Sequence, residues 1–240
     1  AQRALECDPS LPEALSVLGI VAGAYDHDWK NAERRFHLAL AREPVAPLVH
    51  QYYGLSHLYL VRRPLDAARE VALSLESDPL NSLWRQALAF CHMAAGKDAE
   101  ATTELRQLLE FDEGFHLAYS HLAVIEASRG QLTEALVLIE RAYELAPWLT
   151  GNIGLLAGLL LRTGGDSSRA KATLHKLGDG SAYGGPMGFL LYHLVCGEFD
   201  KAADWAEAGI AHAETGKHPQ VVSISVSSNV WLVSGTGVSP

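Results

Sequence analysis

Cysteine is scarce. Cys7, Cys91 and Cys196 are spread through 240 residues, an odd number with no close pair. That excludes a disulfide framework and points to a reducing compartment. Long apolar runs are missing too. The longest, Ile153 to Leu161, contains Gly154 and Gly158 and is too short to span a bilayer. No basic-then-apolar leader opens the sequence, so neither a membrane span nor a secretory signal is read in it. Cationic charge is the minority sign, with Lys and Arg totalling 19 against 28 Asp and Glu, for a net charge of -9. Phosphate binding needs a basic footprint, which makes nucleic acid a poor partner. A soluble, cytoplasmic chain is expected.

Catalytic signatures are lacking as well. There is no Gly-x-Ser-x-Gly elbow, no phosphate loop ending in Gly-Lys-Ser/Thr, and no His-Glu-x-x-His. Gly151-x-x-Gly154-x-x-x-Gly158 lacks dinucleotide-binding spacing and falls on an expected helix, where glycines permit close helix approach. They also lower intrinsic helix stability, by roughly 1 kcal/mol each relative to alanine, so this stretch is expected to be the soft point of the fold. No reaction and no cofactor is expected.

What the sequence does have is a period. Ala32, Ala67, Ala101, Ala135, Ala170 and Ala202 share one local context, with gaps of 35, 34, 34, 35 and 32 residues. Four residues after each come Phe36, Val71, Leu105, Ile139, Leu174 and Ala206. Seven after each come Ala39, Ser74, Leu108, Ala142, Leu177 and Gly209. Pro44, Pro79 and Pro147 recur twelve after three of the alanines. A period of this length marks a stack of identical supersecondary units.

Each unit reads as two antiparallel helices. Leu117, Ala118, Leu122 and Ile125 recur at helical spacing, and Arg129-Gly130 ends that helix. Leu132, Ala135, Leu136, Ile139, Ala142 and Tyr143 form one face of the next, which Pro147 terminates. Small residues at Gly19, Gly54, Ala89, Ala123 and Ala157 hold one place in each first helix, opposite the alanine series, and set the crossing distance. Helix pairs are expected near 11–42, 46–77, 80–111, 114–145, 148–177 and 186–213, after a half-repeat over 1–9. The chain thus begins partway through a repeat, as a fragment of a longer protein would. Gly178 to Pro186 reads as a long, mobile glycine-rich loop. Residues 214–240, rich in Ser, Val and Gly, are expected to form a non-helical tail, extended or disordered.

Leu18-Gly19, Ala32-x3-Phe36-x2-Ala39 and the turns Asp8-Pro9, Glu43-Pro44 and Asp78-Pro79 resemble the tetratricopeptide repeat (TPR) family. The resemblance covers residues 1–213. It implies an all-α, right-handed superhelical solenoid of about six helix-turn-helix repeats that acts by binding protein. A narrower stretch, Tyr25-Asp26-His27-Asp28-Trp29-Lys30-Asn31-Ala32-Glu33 with Phe36, resembles the opening repeat of TPR modules in bacterial signalling proteins. Those include winged-helix regulators, cyclases and Ser/Thr kinases. It implies an upstream effector domain, and a role as the regulatory or sensory arm of a larger bacterial protein.

First-helix residues that avoid the core line the groove of such a solenoid. By position the candidates are Gln51, Tyr52, Leu55, Tyr59, Gln86, Phe90, Met93, Ser120 and Val124. Aromatic anchors with interspersed glutamines suit a peptide or protein segment, one belonging to the chain's own upstream domain included. A clamp for a terminal carboxylate is excluded, since Ser16, Ile20, Tyr52, Leu83 and Ala87 hold the matching positions without a cation. His57 and His92 occupy equivalent places in successive repeats and Glu126 the next. They would make a His/His/Glu metal set if brought together, although such residues ordinarily end as hydrogen bonds at helix interfaces, and no metal is expected.

Overall fold

The computed structural model describes residues 1–214. All regular structure among them is helical. Residues 215–240, and with them the expectation of a non-helical tail, lie outside the described residues. Two compact units divide between Glu104 and Leu105, inside one helix.

The first unit begins with α1 (Gln2–Cys7), followed by the pair α2 (Pro12–Ala24) and α3 (Trp29–Leu40). The next first helix is α4 (Pro47–Tyr53), continued by a π-helical turn over Gly54–Leu58, and it pairs with α5 (Pro64–Ser77). Then come α6 (Ser82–Ala94) and the start of α7 (Asp98–Phe111). The second unit holds α8 (His116–Ser128) with α9 (Leu132–Leu145), and α10 (Thr150–Arg162) with α11 (Ser167–Leu174), which tightens into a 3-10 turn to Leu177. It closes with α12 (Gly185–Cys196) and α13 (Phe199–Glu214). Within each unit a helix packs on its partner and on the next pair, as α2 does on α3 and α4, and α10 on α11 and α12.

The local chemistry of the helix ends explains the boundaries. Pro opens α2, α4, α5 and α12, where its missing N–H costs nothing. The side chains of Asp28, Asn81 and Asp166 accept from the first-turn amides of α3, α6 and α11. Between the helices of the later pairs Gly96, Gly130, Gly164 and Gly197 take positive φ. In the first two pairs that left-handed turn residue is not glycine: His27 has φ 54° and Arg62 φ 64°.

The periodic residues are the core. All six alanines of the series are buried, as are Phe36, Val71, Leu105 and Ile139 four residues on. The small first-helix position makes the crossing. A Cβ on Gly19 would sit 2.9 Å from the Phe36 ring, and one on Gly54 3.1 Å from the Ala67 carbonyl.

The expected soft point is instead the most enclosed helix. Every residue of α10 from Asn152 to Leu160 is buried. Burial of a large aliphatic side chain stabilises by about 1.5–3 kcal/mol, and Ile153, Leu155, Leu156, Leu159 and Leu160 together outweigh the propensity cost of Gly151, Gly154 and Gly158. Those glycines face α12 at close range. A Cβ on Gly154 would lie 1.8 Å from the Gly188 carbonyl oxygen, and one on Gly158 2.1 Å from Val195. The Gly178–Pro186 segment is anchored at Gly180, Gly185 and Pro186, which are buried, while Tyr183 between them is exposed. Gly180 is buried beneath Trp205 of α13, which itself stacks on Phe189 at 4.4 Å between ring centroids.

Candidate functional site

The expected groove residues separate into two fates. In the first unit Gln51, Tyr52, Leu55, Gln86 and Phe90 are half-buried, and Tyr52, Leu55 and Phe90 pack on the core cluster of Tyr53, Leu58, Val71 and Leu88. Tyr59 and Met93 are buried, and the Tyr59 and Phe90 rings meet at 5.0 Å. This aromatic row seals one repeat to the next. In the second unit Ser120 is buried, and its hydroxyl donates to the Asn152 side-chain oxygen at 2.7 Å. Tyr59, Met93 and Ser120 are therefore corrected from groove lining to core, because helical position alone does not separate the side facing a ligand from the side facing the next repeat.

Val124 does line an open cleft. In the second unit the ends of α8, α10 and α12 leave a depression of about 260 Å³. Val124 and Ala127 of α8, Leu155 of α10, and Leu191, Leu194 and Val195 of α12 form its walls. Leu132 at the start of α9 and Phe199 at the start of α13 form the rim, with Phe199 more than half exposed. The charged lining residue is Arg162, whose guanidinium donates to the Val195 carbonyl at 2.7 Å. A cleft of this size, apolar with a few polar groups, holds one or two large side chains rather than a cofactor. Sequence reasoning missed Leu155 and Arg162. The offsets that gave Tyr52 and Tyr59, carried on past Ala157, land on these two residues.

The histidines take mostly structural places. His50 pairs with Glu70 at 2.7 Å across α4 and α5, and His193 with Glu198 at 2.6 Å. His57, in the π turn, is buried among Trp29, Phe36 and Tyr53 and stacks on Tyr53 at 5.7 Å. Among the described residues neither ring nitrogen has a hydrogen-bond partner; Glu33 stands 3.8 Å away, and burial pushes the imidazole below its ordinary value. Glu126 is committed to Arg129 at 2.9 Å. Among the described residues no three of His, Cys, Asp and Glu gather closely enough to hold a metal ion. Burial drives the Cys91 thiol up to about 12, which makes it an inert core residue. No described helix is long and apolar enough to cross a membrane.

No protein-family model matches the chain, and no curated protein matches it. Solved structures do. PilW, described as a widely conserved type IV pilus biogenesis factor, superposes with a TM-score of 0.62 at 20% identity, over 73% of this chain and 80% of that one. The PilF of Pseudomonas aeruginosa gives a TM-score of 0.61 at 16% identity, over 85% of this chain and 91% of that one. At these identities the likeness shows the fold alone. That fold is the all-helical, paired-helix architecture of TPR proteins, in agreement with the sequence period.

Proposed function

We propose that this chain is a protein-interaction scaffold whose second unit seats a short apolar segment of a partner protein in the cleft between α8, α10 and α12. The observation that carries this reading is the cleft itself: apolar walls from three successive first helices, with Arg162 at one edge. Stacked repeats bury most of their aliphatic surface against each other, so a depression left open along them marks a place for a guest. Repeat folds of this kind typically bind and do not catalyse, and we assign no reaction to the chain.

Phe199→Asp tests the site, because Phe199 sits at the rim and more than half exposed, where a charge leaves the fold intact. Peptides selected on the intact chain from a random display library should lose affinity for this variant at least roughly tenfold, the scale of one lost buried anchor. Selected peptides that bind the variant unchanged contradict the site.

The stretch from Tyr25 to Phe36 favours a second reading, in which the scaffold is the regulatory arm of a larger bacterial kinase, cyclase or transcriptional regulator and the guest is a segment of that same protein. A cytoplasmic setting goes with either reading. It rests on three unpaired thiols, Cys7 exposed and Cys91 buried among them. Detection of the chain in a periplasmic extract would contradict it.

A further inference from the structure

Arg162 stands where the other first helices carry no charge. Five residues beyond the small residue of each crossing come Ala24, Tyr59, Ala94 and Ser128, and in α10 Arg162. The pairing of helices therefore does not call for a cation at this place. The Arg162 side chain lies at the edge of the cleft, and one of its N–H groups donates to the Val195 carbonyl at 2.7 Å. That carbonyl belongs to the last turn of α12, where one neutral donor would serve as well. The other N–H groups of the guanidinium meet no carboxylate among the described residues. Charges near the rim are already matched within the fold, Glu126 by Arg129 at 2.9 Å and Glu198 by His193 at 2.6 Å and Lys201 at 2.8 Å. The rim amides are committed too. Gly130 and Gln131 donate to the Ala127 and Glu126 carbonyls, and Gly197 and Glu198 to those of Leu194 and His193.

We infer that Arg162 reads a side-chain carboxylate on the guest, so that the cleft takes an extended segment with an Asp or Glu close to its apolar anchor; the inference rests on the scaffold role proposed above. A guanidinium pre-set by one hydrogen bond still presents parallel N–H donors, which match the two oxygens of a carboxylate. Spacing follows from α10. Leu155 in the cleft wall and Arg162 are seven residues apart, two turns along the same face and about 10 Å. An extended chain covers that length in about three residues, so the acidic residue stands within about three positions of the anchor. A chain-terminal carboxylate fits less well. Capture of a chain end uses a nest of backbone amides, and those at this rim are spent. The net charge of -9 opposes an acidic guest at long range. Salt screens it beyond about 8 Å at physiological ionic strength, which leaves the cation in contact to decide.

The test is a random peptide display selection on the intact chain and on Arg162→Gln, whose amide keeps a neutral donor beside Val195. Peptides taken by the parent should carry a large apolar residue with Asp or Glu within about three positions. Those taken by the variant should keep the apolar residue and lose the acidic preference. One parent-selected peptide is then synthesised with its acidic residue and with the matching amide, and both are titrated by calorimetry. The parent should prefer the acid roughly fivefold, the scale of one exposed ion pair, and added salt should shrink the preference. Arg162→Gln should abolish the preference. Arg169→Gln should keep it, since that guanidinium is held by Glu140 at 2.7 Å. Both variants should melt within about 2 °C of the parent, as exposed substitutions do. Apolar selection without acidic enrichment overturns the inference and leaves the scaffold standing, whereas no selection at all overturns both. An acid preference that survives Arg162→Gln also overturns it. So does a preference that depends on a free peptide C-terminus, which would make the chain end the group that is read.

Discussion

Ser120 and Asn152 meet across 2.7 Å between α8 and α10, with both side chains buried. The Asn152 amide nitrogen donates to the Ala142 carbonyl of α9 at 3.2 Å. A carbonyl can only accept, so the amide nitrogen must face Ala142 and the amide oxygen is left for the Ser120 hydroxyl. One asparagine thus ties three helices of the second unit together.

Asn152→Ala removes one donor from the Ala142 carbonyl, which keeps the Ala146 amide, and one acceptor from the Ser120 hydroxyl, which keeps the His116 carbonyl, and it opens a small void. The expected cost is ~1–2 kcal/mol, against ~1 kcal/mol for Ser120→Ala, which keeps the Ala142 bond. Urea denaturation measures both. A loss below about 0.5 kcal/mol for Asn152→Ala would mean that solvent reaches this pair.

Gly154→Ala should be among the most damaging single changes in the chain. Its Cβ would fall on the Gly188 carbonyl oxygen, a backbone atom that cannot swing aside. A loss of ~3 kcal/mol or more is expected from forcing α10 and α12 apart. Gly114→Ala is the control. A Cβ there meets only the Asp112 carboxylate at 3.8 Å, and stability should change by less than about 0.5 kcal/mol.

Stability should decline on mild acidification. Burial, with the neighbouring His116 adding to it, holds His121 down at about 4 against an ordinary 6.5; burial also lowers His57 and His116. These histidines stay neutral in the folded chain, while the unfolded chain takes up protons as the pH falls through 6.5. The stabilisation is therefore complete above that value and is lost progressively down to about pH 4. Urea melts at pH 7.5 and pH 5 check the direction, and an NMR titration of the His121 ring checks its place. Greater stability at pH 5 would contradict the assignment.

Arg62 occupies a left-handed turn where later repeats have glycine, at a strain of roughly 1 kcal/mol for a residue with a Cβ. Arg62→Gly should raise the unfolding free energy by ~0.5–1 kcal/mol, less than the full strain because glycine also gains freedom in the unfolded chain. A lower melting temperature would show that the Arg62 side chain contributes more than its backbone costs.

The repeat made the helices legible. Ala32, Ala67, Ala101 and Ala135 recur in phase because each must let a neighbouring helix approach, and all four are fully buried. Some helix ends came with them, through Pro44, Pro79 and Pro147 just beyond second helices and Gly130 at the end of a first one. What the period does not carry is the direction of a polar side chain. Ser120 holds a position that faces either solvent or the next pair, and only the presence of Asn152 32 residues later decides it. The π turn at Gly54–Leu58 was hidden for a related reason. It puts Tyr59 N–H onto the Gly54 carbonyl, a shift of one residue that composition does not reveal. Little of the candidate cleft was visible. Val124 alone among its lining residues was named from its offset, while Leu191, Leu194 and Phe199 belong to a final pair whose connection departs from the period.

The most direct measurement on the scaffold reading is methyl NMR of the intact chain, titrated with a display-selected peptide. Shifts are predicted at Val124, Leu155, Leu191 and Leu194, with none at Val137 on the exposed side of α9, and Phe199→Asp should weaken the same titration at least roughly tenfold. Shifts centred on Val137, or a titration indifferent to Phe199→Asp, would contradict the account.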